Sequence, residues 1–316
     1  MHPTISLFPE ITPLQKQAKP QRTPFIISEV LDTYLRELYS YRFLKAEQLT
    51  RLLHSMGSLT KVQTRLKHLT DHRYLHAFQL PTVKSKSPYI YVVAAKGIRY
   101  LKDQGVEATA YYRPSEVTEL SHGFLWHVLQ LNEFLIAGRR VAKAYPAFTL
   151  ASWRHDLDMK GHPMKVSLVK AGPGQKDVVK VVWPDGWLVF QQKREGKKDA
   201  QFAFWVELDR GTEGVKPFKE KIVKILAAIK SGECQQYFHE EHIDHIVFAT
   251  TAGETRVEQM RKWTMEQLAE LHVKPDTRDL FVFSAYQPGS DPTQVFFTPV
   301  WRLPLKEKAP IPLLAE

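Results

Sequence analysis

The chain has 316 residues, 43% of them hydrophobic and 11% aromatic, which is enough apolar material for two ordinary domains with a core in each. Its single cysteine, Cys234, excludes an intrachain disulfide and a cysteine-rich zinc site, and no stretch reaches the ~18 consecutive apolar residues of a membrane span. The formal charge of +10 is unevenly spread: residues 1–113 carry 17 Lys/Arg against 8 Asp/Glu, and residues 114–316 carry 27 against 26. A basic module joined to a nearly neutral one suggests a polyanion-binding domain attached to something else.

Residues 1–24 form a proline-containing leader that lacks the basic-then-apolar order of a signal peptide, so a cytoplasmic protein with no membrane partner is expected. Residues 25–113 read as the first domain. Val30, Leu31, Tyr34, Leu35 and Leu38 give helical spacing over 28–44, and KAEQLTRLLH at 45–54 gives a second short helix. Met56-Gly57-Ser58 breaks it, and Ser58 is placed to cap a third helix whose stripe is Val62, Leu66 and Leu69. Strand-like runs at 74–80 and 89–93 flank PTVKSKSP, a hairpin tip, and AKGIRYLKDQ adds a last short helix. This order resembles a winged helix-turn-helix, a double-stranded DNA-binding module. Gln63, Thr64 and Lys67 are then the candidates for base edges, with Lys61, Arg65, Lys84 and Lys86 for phosphates. The alternative is a three-helix protein-docking module with solvated charges.

ATAYYRPS carries no period, which puts a domain boundary near residue 113. In 114–287, a long helix bears Phe124, Leu125, Val128, Leu131, Leu135 and Ile136. Strands are expected at 148–153, 163–168, 178–183, 187–191, 202–208, 245–250 and 280–284, and helices at 216–230 and 254–271. That alternation predicts an α/β sandwich with a mixed sheet, α+β for the chain as a whole. Residues 288–316 are Pro-rich and are expected to wrap the surface.

The chemistry concentrates in VVWPDGWLVF and FWVELDRGTEG. Side chains alternate along a strand, so Glu207 and Asp209 emerge together at its end. If the strand bearing Asp185 is a neighbour, Asp185 and Glu207 could hold one divalent cation through hard oxygen ligands. The other reading is a charged strand end, with Asp209 or Thr212 capping the next helix.

Pro184-Asp185 followed by Glu207 resembles the PD-(D/E)xK nuclease superfamily, in which a lysine follows two positions after the second acid. Asp209 stands there instead. Lys219 and Lys221 on the following helix are the available substitutes, and both flank its apolar stripe, so spacing does not choose between them. Glu133 is the candidate for the helix glutamate of that pattern. The resemblance implies catalytic roles for Asp185, Glu207, Asp209, Lys219 and Lys221, with Mg²⁺ or Mn²⁺ held by Asp185 and Glu207.

His122, Trp153, Pro184-Asp185 and ELDRGTE at 207–213 further resemble the replication-relaxation family of plasmid and mobile-element proteins, over about residues 28–285. That resemblance implies action in replication, relaxation or transfer of extrachromosomal DNA. A homodimer and replication or transfer proteins are its candidate partners. The alternative is a non-catalytic transcription or replication regulator whose second domain serves dimer or partner contacts.

Other constellations carry less. His239, His242 and His245 do not follow H-E-x-x-H spacing, and there is no phosphate-binding G-x-x-x-x-G-K-[ST] loop and no G-x-S-x-G elbow. Asp156 and Asp158 follow a strand, where either could join the acidic site, a solvated loop being the default.

Overall fold

A computed structural model describes residues 25–80, 87–108, 120–168, 178–240, 242–305 and 307–315. Helices and a mixed five-stranded sheet make the chain α+β, as expected. It divides into two compact units, 1–132 and 133–316. The expected boundary near residue 113 and the expected leader lie outside the described residues, as do Lys84 and Lys86.

The first unit begins with α1 (Glu29–Tyr41), β1 (Leu44–Lys45), α2 (Ala46–Leu53) and α3 (Leu59–Asp71). β2 (Leu75–Gln79), β3 (Tyr89–Val93) and α4 (Ala95–Asp103) follow. Helix α1 buries Leu31, Tyr34, Leu35, Leu38 and Tyr41, the i, i+3, i+4, i+7 stripe of an amphipathic helix. The strands form an antiparallel sheet in the order β1-β3-β2. Ser58 makes no capping bond; it belongs to a 3-10 turn, Met56–Ser58, that runs directly into α3. Gly97 permits α4 to close on the sheet, since a Cβ there would stand 2.5 Å from the Tyr74 carbonyl oxygen and 2.7 Å from Val93 Cγ1.

Helix α5 (His122–Ala144) contains the division between the units, between Asn132 and Glu133. In the first unit its Leu125, Val128 and Leu129 join Phe43, Phe78, Leu80, Ile90 and Val92 in one apolar cluster. Buried amides are satisfied by backbone there: Gln48 donates to the Leu129 carbonyl at 2.8 Å and Asn132 to that of Phe43 at 2.6 Å.

The second unit is built on a sheet of order β10-β9-β8-β7-β4. Its strands are β4 (Phe148–His155), β7 (Gly186–Gln192), β8 (Ala200–Asp209), β9 (His245–Thr250) and β10 (Phe281–Ala285). β4, β7 and β8 pair antiparallel, whereas β8, β9 and β10 run parallel, joined by α6 (Val215–Ser231) and α7 (Glu254–Glu270). β5 (Met164–Ser167) and β6 (Val179–Val182) leave this sheet and pair as a separate ribbon.

One face of the five-stranded sheet presents Trp187, Val189, Trp205, Ile246, Phe248 and Phe283 to Phe218, Ile222 and Ile225 of α6 and to Val257 and Met260 of α7. On the other face Phe190 packs on Phe204 and Phe296, and Phe134 packs on Phe296 and Trp301. The C-terminal segment therefore does more than wrap the surface. Phe296 and Trp301 are fully buried, and Arg302 bridges to Phe283 on the outer strand β10. Its irregular backbone has no period to read, so only the packing reveals these apolar residues as core.

Candidate functional site

Three antiparallel strands bring three carboxylates into a row. The register pairs His155 with Gly186 and Gly186 with Val206. One residue beyond those pairs, Asp156 opens a short helix after β4, Asp185 immediately precedes β7, and Glu207 follows Val206 on β8, where the Asp185 charge acts on it. Carboxylate oxygens of Asp156 and Asp185 lie within 4.8 Å of each other. Asp185 Oδ2 accepts the Leu208 backbone N–H at 2.8 Å, which fixes the carboxyl at the β7–β8 seam. Asp156 is buried, with its Oδ1 2.6 Å from His155 Nδ1, a nitrogen that accepts the Leu157 backbone N–H.

Glu207 is 4% exposed. Its Oε1 accepts from Trp205 Nε1 at 2.7 Å, and its Oε2 meets Lys221 Nζ at 3.0 Å. Each oxygen keeps a further lone pair. Burial pushes the Glu207 pKa up to about 7, with the Lys221 charge opposing the rise and the Asp185 carboxylate adding to it. Burial alone would lower Lys221, but Glu207, Asp185 and Glu213 outweigh it and hold the ammonium protonated, well above the usual lysine range.

The two lysines that spacing left equal have different partners. Lys221 reaches Glu207 and also Glu213 at 3.2 Å, whereas Lys219 turns to Glu266 at 2.9 Å and Glu270 at 3.5 Å on α7. Asp209 is engaged elsewhere too. Its Oδ1 takes Arg256 Nη2 at 2.6 Å, and its Oδ2 takes Arg256 Nε at 2.9 Å, Thr250 Oγ1 at 2.9 Å and the Gly211 N–H at 2.8 Å. Four donor atoms, two of them from one guanidinium, occupy the positions a cation would need. Neither Asp209 nor Thr212 caps α6, whose N-cap is Gly214.

Nothing in the sequence around Arg256 announced this pair; the residue lies in the first turn of α7, 47 positions after Asp209 in the chain. Asp156 had a weak signal, an acid at a strand end. Of the other residues in the family resemblance, Trp153 lies under Arg139 at 5.5 Å, His122 stacks with Trp126, and Glu133 is buried on α5.

Gly211 sits at φ +77°, and a Cβ there would stand 2.6 Å from the Ala252 Cβ. Gly211→Ala is therefore expected to destabilise the protein by about 1–3 kcal/mol, combining the left-handed penalty with a backbone shift. Chemical denaturation of the full chain checks this.

In the first unit, Lys61, Gln63, Thr64 and Lys67 are all exposed on α3, on the face opposite Val62, Leu66 and Leu69. Lys67 pairs with Asp71 at 2.5 Å in an i,i+4 bridge of the weak, exposed kind. Arg65 is half-buried and donates to Tyr34 Oη at 3.3 Å, so part of its bonding capacity is used inside the unit.

These features define an α+β protein of two units, one bearing a cluster of carboxylates beside a half-buried lysine. The sequence profile of the replication-relaxation family matches residues 35–238, and the chain belongs to that family. No curated protein matches it. The matched span includes Asp156, Asp185, Glu207 and Lys221 and ends before Arg256. Among the described residues, no helix is long and apolar enough to cross a membrane.

Proposed function

We propose that this protein binds double-stranded DNA of a plasmid or mobile element through its first unit and nicks it with its second, in replication, relaxation or transfer. The convergence of Asp185 and Glu207 with Lys221 carries the reading, because acids that can hold a divalent cation beside a lysine can activate water against a phosphodiester. The sheet order with a parallel β8–β9 step supports a PD-(D/E)xK-like unit. The order helix, strand, two helices, hairpin in the first unit supports a winged helix that presents α3 to the major groove. Lys61, Gln63, Thr64 and Lys67 would meet the duplex there, with Arg65, Lys84 and Lys86 toward the backbone.

The carboxylate oxygens of Asp156, Asp185 and Glu207 are hard donors, which suit Mg²⁺ or Mn²⁺. Asp185 and Glu207 would hold the ion, with Asp156 within reach of Asp185. A bound ion of this kind supplies an activated water and neutralises phosphoryl charge. Lys221 contributes a permanently protonated ammonium beside the developing charge, and burial of Glu207 keeps that pairing out of bulk water. The Leu208 N–H holds Asp185 in place through Oδ2.

Glu207 must give up its proton to serve as a ligand, so Mn²⁺ affinity should rise steeply between pH 6 and pH 8. Calorimetric titration at both pH values checks this; Glu207→Gln should flatten the dependence. The reading as a whole is tested with supercoiled plasmid. Conversion to open circle in Mg²⁺ or Mn²⁺ but not in a chelator supports it. Salt-sensitive duplex binding with no cutting in either metal would make the protein a non-catalytic regulator instead.

A further inference from the structure

We propose that Arg256 is a positioning residue for Lys221, acting across the 210–214 loop; the inference rests on reading Asp185, Glu207 and Lys221 as one site. Glu207 needs no outside help, since it lies on a central strand and is bonded to Trp205. Lys221 is different. It reaches the strand end from α6, and its second anchor, Glu213, belongs to the loop between β8 and α6.

A loop carboxylate can orient a lysine only if the loop itself is fixed. Arg256 fixes it from both sides. Its Nη2 donates to Asp209 Oδ1 at 2.6 Å and to the Glu213 carbonyl at 2.8 Å, while its Nε reaches Asp209 Oδ2 at 2.9 Å. One guanidinium therefore ties the last residue of the strand to the residue that holds Lys221. The Gly211 N–H closes the same loop internally onto Asp209. Arg256 is 6% exposed and packs over the Trp263 ring at 4.8 Å, so its fork is held rigid from α7. A lysine at this position could not replace it, because a single ammonium cannot make the planar two-point contact and reach a third acceptor.

Removing the guanidinium frees the loop, withdraws Glu213 and leaves Lys221 with one anchor fewer. Lys219 is the internal reference. It lies on the same helix but is held by Glu266 and Glu270, which take no part in the loop.

The test is trace acetylation of the full chain, without DNA or metal, read lysine by lysine by peptide mass spectrometry. In Arg256→Gln, Lys221 labelling should rise about tenfold as the Glu213 anchor is withdrawn and the amine is uncovered, while Lys219 changes less than about twofold. Arg256→Lys should not restore protection. If Arg256→Gln does not fold, Asp209→Asn removes the charge that holds the guanidinium and should expose Lys221 in the same selective way. Lys221 remaining as protected as in the unaltered chain, or Lys219 rising in step with it, would overturn the proposal. A chain that nicks plasmid but shows no selective exposure contradicts the positioning role alone. Selective exposure in a chain that never nicks contradicts the cleavage reading and leaves the positioning role standing.

Discussion

Asp209→Ala is expected to lower the stability of the protein by about 3–5 kcal/mol, the cost of breaking a buried pair and stranding one partner. The side chains of Asp209 and Arg256 are 5% and 7% exposed, so water cannot replace the lost bonds, and Arg256 would be left as an uncompensated buried charge. Replacing both residues together should cost less than the sum of the two single changes, since neither then remains unpaired. The pair also sets an acid limit. Burial alone would raise the Asp209 pKa, but the bonds and charge of Arg256, with Gly211 and Thr250, hold it below the usual carboxylate range. A group depressed in the folded state stabilises the fold above its unfolded pKa of about 3.9 and loses that contribution as pH falls through the folded value. Urea unfolding at neutral pH and below about pH 4 should therefore show the Asp209→Asn penalty shrinking in acid.

The second large effect belongs to Asp185. Asp185→Asn keeps the side-chain shape and an oxygen that can accept the Leu208 N–H, so unfolding and duplex binding should change little. Plasmid nicking should fall by ~10²–10³-fold, equivalent to about 3–4 kcal/mol of lost transition-state stabilisation. An unchanged nicking rate would remove Asp185 from the site. Equal losses of folding and nicking would make it structural.

Much of the architecture was legible because buried stripes repeat at 3.6 or 2 residues. Val30 to Leu38 marked α1, and the apolar run before Glu207 marked β8. The departure of β5 and β6 from the main sheet was not legible, since a four-residue alternating strand looks the same in a ribbon as in a sheet. Nor was the burial of Phe296 and Trp301, which sit in irregular backbone.

At the site, Asp185 and Glu207 could be associated from their places at the ends of two strands, and the Asp185 charge does act on Glu207. The choice of Lys221 over Lys219 could not be read, because both flank the same stripe and only the placement of Glu213 and of Glu266 separates them. Asp209 misled for a related reason. Alternation puts it on the Glu207 side of the strand, but its partner lies on a helix that forms one β-α-β crossover later. Side-chain parity is local information; the identity of a distant partner is not.

The proposed divalent cation at the β7–β8 seam is tested most directly by anomalous scattering from crystals grown with Mn²⁺. The predicted result is a peak ~2.0–2.6 Å from an Asp185 oxygen and from an oxygen of Glu207, with Lys221 displaced little. Crystals at millimolar Mn²⁺ with no peak near Asp185, and Glu207 still closed on Lys221 and Trp205 alone, would contradict it.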